Sequence, residues 1–255
     1  MKRVLIMGAS SGIGFAVAEA LASRGIMVGA AARHTASLEE LKKKYPDTVD
    51  FASIDVTKPE AVAQTQQLIE KMGGMDIYFH VAGIGVENLT LDPEREVEII
   101  NTNAAGFARM LCTAYRYFRD NNRRGQIAAV TSVAGTNDIA RLSAYSASKA
   151  FDQKYMVALE QLSHDEGAKI DFTDIRPGWV RTPLLPEGHK YPMEMSVEYV
   201  MQQVIKAIVR KRRVAVIDWR WNLIVGGWRT LPNRVWTRMN PDLCTPDEPM
   251  PGKLD

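Results

Sequence analysis

The sequence predicts an α/β fold, a single doubly wound parallel sheet with helices on both faces and a helical C-terminal extension. Three observations predict it. Short apolar, β-prone runs alternate with longer runs of helical spacing, which calls for crossover connections and a sheet covered on both sides. A glycine-rich turn follows the first of those runs directly. The chain is also long enough: 255 residues, 46% apolar and 24% charged, bury one core of this class without needing disulfides or metal.

The opening Lys2-Arg3 followed by Val4-Leu5-Ile6-Met7 has the look of a secretory leader, but its apolar part is short and stops at Gly8, so residues 3–7 read as the first strand. Further strands are expected at 27–31, 49–54, 76–81, 126–131 and 170–175. Between them, 13–23 carries Ile13, Val17 and Leu21 on one stripe, and 61–72 carries Val62, Leu68 and Ile69. There is no internal repeat and no low-complexity tract, so residues 1–255 read as one domain. Within it, 182–196 is a Pro- and Gly-rich substrate loop and 214–240 a basic, tryptophan-rich segment. No apolar run approaches the roughly 18 residues of a membrane span. Two cysteines (Cys112, Cys244) and four scattered histidines (His34, His80, His164, His189) make neither a disulfide framework nor a metal site, which fits a reducing, cytoplasmic setting.

Gly8-Ala9-Ser10-Ser11-Gly12-Ile13-Gly14 lies between the first strand and the first helix. Glycines there let the backbone turn tightly and approach a pyrophosphate, whose charge a helix N-terminus favours; this is the phosphate-binding turn of a Rossmann-type sheet. The end of the second strand, Ala31-Ala32-Arg33-His34, lacks the acid that would bind the ribose of NAD. Arg33 instead suits the 2′-phosphate of NADP through charge-assisted hydrogen bonds, so NADP is favoured over NAD. The alternative for Arg33 is a solvated surface arginine.

Tyr145-Ser146-Ala147-Ser148-Lys149 opens a further helix, and the i, i+4 spacing puts Tyr145 and Lys149 on one face. A phenol ordinarily titrates near pH ~10; a neighbouring ammonium and an oxidised nicotinamide favour its phenolate and suit it to proton exchange. Such a pair alone is common on surface helices. Here it coincides with the glycine-rich turn and with Ser132 at the end of a predicted strand.

Taken together, these pieces resemble the short-chain dehydrogenase/reductase family over roughly residues 2–182. The matching segments are Gly8 to Gly14, Asp55-Val56-Thr57, Ala82-Gly83, Asn103-Ala104-Ala105-Gly106, Thr131-Ser132, Tyr145 to Lys149 and Pro177-Gly178-Trp179-Val180-Arg181-Thr182. The resemblance implies a tetrad of Asn103, Ser132, Tyr145 and Lys149. In it Tyr145 is the general acid and base, Ser132 binds the substrate oxygen, Lys149 also binds the nicotinamide ribose, and Asn103 holds a proton-relaying water. It further implies cofactor contacts at Gly8, Ser10, Ser11, Gly12, Ile13, Gly14, Asp55, Val56, Ala82, Gly83, Pro177, Gly178, Val180 and Thr182. The reaction implied is alcohol–ketone interconversion on a lipophilic substrate, a steroid, a 3-oxo lipid or similar, approached past Leu184, Leu185, Met193 and Met195. One departure stands out: His80-Val81-Ala82-Gly83 replaces the family's usual Asn-Asn-Ala-Gly, leaving His80 as a hydrogen-bonding strut rather than a catalytic group.

From Lys206 to Arg238 nine cations meet one acid, Asp218, a net +8 that leaves −6 for the rest of the chain. Trp221, Ile224, Val225 and Trp228 form one helical stripe, weakened by Gly226-Gly227 and ended by Pro232. This segment either packs on the cleft or on another subunit of a homodimer or homotetramer, or makes peripheral contact with a membrane surface. Nucleic acid is not expected, because no nucleic-acid-binding motif accompanies the charge. Two rival functions remain: a non-catalytic scaffold that kept the fold, which the intact tetrad disfavours, and a nucleotide-sugar dehydratase or epimerase, which the short chain disfavours.

Overall fold

The computed structural model describes residues 2–85, 87–88, 90–185 and 191–239. His189, Cys244, residues 186–190 of the expected substrate loop and everything from 240 onward lie outside the described residues.

Seven strands form one sheet in the order β3-β2-β1-β4-β5-β6-β7: β1 Arg3–Met7, β2 Met27–Ala32, β3 Val49–Ser53, β4 Ile77–His80, β5 Gly125–Val130, β6 Ile170–Pro177 and β7 Val214–Ile217. Every pairing is parallel. The helices are α1 Gly12–Ala22, α2 Ala36–Lys44, α3 Ala61–Lys71, α4 Pro93–Ile100, α5 Phe107–Asp120, α6 Ser143–Asp165, α7 Val197–Val209, α8 Trp219–Trp228 and α9 Asn233–Trp236.

Period-two alternation in β1 builds both cores. Val4 and Ile6 point to one face and pack with Val17 of α1, Leu38 of α2 and Val204 of α7. Leu5 and Met7 point to the other and pack with Leu68 of α3, Phe107 and Leu111 of α5, and Met156 of α6. A strand buried on both faces must be apolar throughout, which is why the central strands read as near-continuous apolar runs.

Because β1 is followed by neighbours on opposite sides, β2 and β4, the connections diverge there and leave a crevice beyond the strand ends. Register aligns Met7 with His80, His80 with Ala129, and Val130 with Ile175, so the segments after β1, β4, β5 and β6 emerge at one edge of the sheet.

The C-terminal segment differs from expectation. The extension is expected to be helical and its basic segment to start at 214, with no strand foreseen there, but Val214–Ile217 is the edge strand, paired to β6 from Asp174↔Val214 to Pro177↔Ile217. Four residues following a run of cations, Arg210 to Arg213, are too short to show a period of their own. Helix begins only at Trp219, where Asp218 accepts a hydrogen bond from Arg220 N at 3.0 Å. The glycine pair does not interrupt α8, because Trp221, Val225 and Trp228 anchor it in the core. Pro232 does separate α8 from α9, as its missing N–H requires. Of the expected stripe only Ile224 faces solvent.

Candidate active site

A cavity of about 370 Å³ opens at the crevice. Its floor is the turn after β1. Gly8 has φ +96°, and an added Cβ there would sit 2.7 Å from Ala82 Cα; one on Gly14 would strike Gly8 O. Glycine at both positions lets α1 start hard against the sheet. Ser11, extended at the start of α1, makes no side-chain cap, and Gly12 and Ile13 line the cavity. An uncapped helix N-terminus facing a cavity fits a pyrophosphate. Arg33, exposed, and His34 line the same cavity just past β2, with no carboxylate among the lining residues there.

Past β4, Val81 N and Ala82 N both donate to Met7 O, at 2.8 and 2.9 Å, which tucks Ala82 and Gly83 beside the turn. His80 is wholly buried beneath them. Its Nε2 lies 3.2 Å from Ala82 O, which can only accept, so Nε2 carries the proton; Nδ1 then accepts from Tyr78 Oη at 2.9 Å. Burial, with the Lys149 charge adding to it, lowers the His80 pKa from 6.5 to about 3. The histidine is thus a neutral brace and does not line the cavity.

Asn103 lies in a π-helical turn, Asn101–Gly106, that joins α4 to α5. Its Oδ1 accepts from Ile84 N at 2.8 Å, while its Nδ2 donates to Ile84 O at 2.7 Å and Ser148 Oγ at 3.1 Å. The extra residue of a π turn rotates this side chain toward the strand edge, a device found at functional sites.

Ser132 follows β5. Its Oγ accepts from Ala134 N at 3.1 Å, which leaves the O–H free to donate, and its backbone oxygen accepts from Gln153 Nε2 at 2.7 Å. Tyr145, half-buried in the first turns of α6, packs its ring over Gly85, and Lys149 Nζ lies 6.0 Å from that ring's centre. The Lys149 ammonium is buried and donates to Val130 O at 3.3 Å and to Asp152 Oδ2 at 3.0 Å. Burial pulls the ammonium down, but the Asp152 carboxylate and then Tyr145 outweigh it and hold it above its ordinary range. Burial pushes Asp152 up to about 6, against the pull of Lys149. Asp152 Oδ1 has no partner among the described residues.

The structure brings most of the expected site residues to one cavity: Gly8, Ser10, Ser11, Gly12, Ile13, Arg33, Val56, Ala82, Gly83, Ser132, Tyr145, Lys149, Pro177, Gly178, Val180 and Thr182 all line it. Gly14, Asp55 and Asn103 do not. Gly14 is a packing position, Asp55 accepts from Thr57 N and Oγ1 at 2.9 and 2.7 Å, and Asn103 stands behind Gly83. Leu184 and Leu185 line the cavity as expected; Met193 and Met195 pack into the core instead, because Met195 N and O bond Trp179 O and Arg181 N and turn that segment back.

Sequence reasoning missed Asp152 and Gln153, although both are within a turn of Lys149 and a polar pair on the inner side of a buried helix is a visible signal. It also missed part of the far wall, Ile139, Leu142, Trp179 and Tyr191; Trp221 and Trp228 complete that wall, so the tryptophan-rich segment packs on the cleft, one of the alternatives expected for it. Trp228 Nε1 donates to Thr136 Oγ1 at 2.9 Å, tying α8 to the segment after β5. The indole N–H groups of Trp179 and Trp221 are buried and have no acceptor among the described residues.

A model of the short chain dehydrogenase family matches residues 2–190. The chain belongs to that family. It is an NAD(P)-dependent short-chain dehydrogenase/reductase. It is 31% identical over 239 residues to an uncharacterized oxidoreductase of Myxococcus xanthus, covering 91% of this chain and 93% of that protein. It is 31% identical over 197 residues to a farnesol dehydrogenase of Aedes aegypti, covering 73% and 80%. The fold of this dehydrogenase superposes on a short-chain dehydrogenase of Burkholderia cenocepacia in complex with NADP with a TM-score of 0.78, at 20% identity over 93% of this chain and 98% of that one.

The His80 brace has a pH signature. With the folded-state pKa depressed, the unfolded chain takes up the proton first as pH falls, so stability is full above pH 6.5 and is lost between there and about 3. Denaturant melts across that window are expected to show a shallower loss for His80→Gln than for the wild type. Parallel curves would contradict the brace.

Proposed function

We propose that this dehydrogenase uses NADP to interconvert a secondary alcohol and a ketone on a lipophilic substrate, with Tyr145 as general acid and base. The observation that carries this reading is the shared cavity: Ser132, Tyr145 and Lys149 line the same space as the glycine-rich turn and Arg33, under a wall of Ile139, Leu142, Trp179, Leu184, Tyr191 and Trp228. Bound NADPH supplies a hydride to the carbonyl carbon of the substrate. The glycine turn and the uncapped start of α1 hold its pyrophosphate, and Arg33 its 2′-phosphate. Val180 and Thr182 flank the nicotinamide end.

In the reduction, Ser132 donates its free O–H to the substrate carbonyl oxygen, stabilising the charge that gathers there, and Tyr145 delivers its phenolic proton to the same oxygen. The Lys149 charge favours the phenolate that remains. Asp152 sits behind Lys149 and offsets part of that charge, so it sets how strongly the phenolate is favoured. Asn103 positions the Ile84 loop against this group rather than touching the substrate. The apolar wall excludes water and selects a lipophilic ketone.

Tyr145→Phe is expected to lower turnover of a ketone panel with NADPH by about 10²- to 10⁴-fold while leaving cofactor binding intact; unchanged turnover would refute proton transfer by Tyr145. Arg33→Ala is expected to weaken NADPH by roughly 10- to 100-fold and NADH little, read by fluorescence titration of each reduced cofactor. Equal weakening of both would remove the phosphate contact.

A further inference from the structure

Helix α8 is apolar on more than its buried side. At about 100° per residue, Trp221, Val225 and Trp228 share the inward arc, and Trp219 and Leu223 fall about 40° apart on the opposite one. Trp219 is 70% exposed and Leu223 67% exposed, and Gly226 and Gly227 lie beside them with open space where a Cβ would stand. Further along the chain Leu231, Val235 and Met239 are exposed as well. Large apolar side chains on the outer side of a helix call for a cover, a protein partner or a lipid phase, and here they are bare among the described residues.

Charge says what covers that face. From 219 to 239 the chain has four arginines and no Asp or Glu. Arg220 is held by Asp218, but Arg229, Arg234 and Arg238 are exposed and none joins an ion pair among the described residues. Exposed tryptophan and leucine set among unpaired arginines match an anionic lipid interface, where the rings and alkyl chains seat below the headgroups and the guanidinium groups meet their phosphates. No described helix is long and apolar enough to cross a membrane, so contact would be peripheral.

We propose that the outer face of α8 and α9, built from Trp219, Leu223, Leu231, Val235, Arg229, Arg234 and Arg238, docks this protein on an anionic membrane surface. The residues concerned differ from the stripe that the sequence pointed to: Trp221, Val225 and Trp228 face inward, and Trp221 and Trp228 line the cavity from the inner side of the same helix. Docking would therefore bring the cavity wall against the lipid phase. The inference does not rest on the catalytic reading, since none of the docking residues lines the cavity.

The test is co-sedimentation of the full-length protein with vesicles rich in phosphatidylglycerol and with vesicles of phosphatidylcholine alone, at low and high salt. Two variants accompany the wild type, Trp219→Ser with Leu223→Ser, and Arg229→Gln with Arg234→Gln and Arg238→Gln, each checked for an unchanged thermal melt. The wild type is expected to bind the anionic vesicles at low salt, to be released by high salt, and to weaken by about tenfold or more in each variant. Absence of wild-type binding overturns the proposal, whether a second copy or the chain's own acidic last residues then covers the face. So does binding that either variant leaves unchanged. A wild-type dimer that the Ser variant converts to monomer, without vesicle binding, assigns the face to a subunit interface instead.

Discussion

The buried ammonium of Lys149 ties α6 to the sheet. It reaches from α6 to the last carbonyl of β5, Val130 O, and is neutralised from its own helix by Asp152 three residues on. Such a charge is tolerated inside a protein only with close partners, so its geometry is tightly constrained. One turn earlier on the same helix stands Tyr145, and one residue further along the chain from Asp152, Gln153 clamps the backbone of Ser132. The phenol, the serine hydroxyl and the ammonium are therefore positioned by one helix–strand contact.

That contact works because the strands beneath it end together. The β1–β4–β5–β6 register brings the glycine turn, the Ala82-Gly83 segment, Ser132 and Pro177-Gly178 to one edge, and the divergence of connections at β1 leaves room there. His80 braces the second of these segments through Ala82 O, taking over a strut that the family usually builds with asparagine. The far wall is made by residues distant in sequence. Gly178 is required because Trp221 Nε1 occupies the space a side chain would fill, so the tryptophan-rich end is built into the cavity and is not an appended tail.

Six of seven strands were legible because burial on both faces demands unbroken apolar runs, and the glycine turn and the Tyr145–Lys149 pair because their spacing is local. The seventh strand was not, since four edge residues among cations show no period. The direction of the C-terminal stripe was half legible: three of its four residues turn inward, but nothing local to α8 says whether core or lipid lies beneath them. Met193 and Met195 were placed at the cavity on polarity alone, and the backbone bonds that turn them into the core are long-range. Asp152 was in plain view at i+3 from Lys149, yet its burial depends on how α6 lies across the sheet, which spacing does not specify.

The coupling between Asp152 and Tyr145 through Lys149 is tested most directly by the pH–rate profile of alcohol oxidation in the wild type and in Asp152→Asn. As long as Lys149 stays charged, removing the carboxylate leaves that charge uncompensated beside the proposed acid and base, so the rising limb is expected to move to lower pH. A limb that stays in place, or that moves to higher pH, would contradict the account.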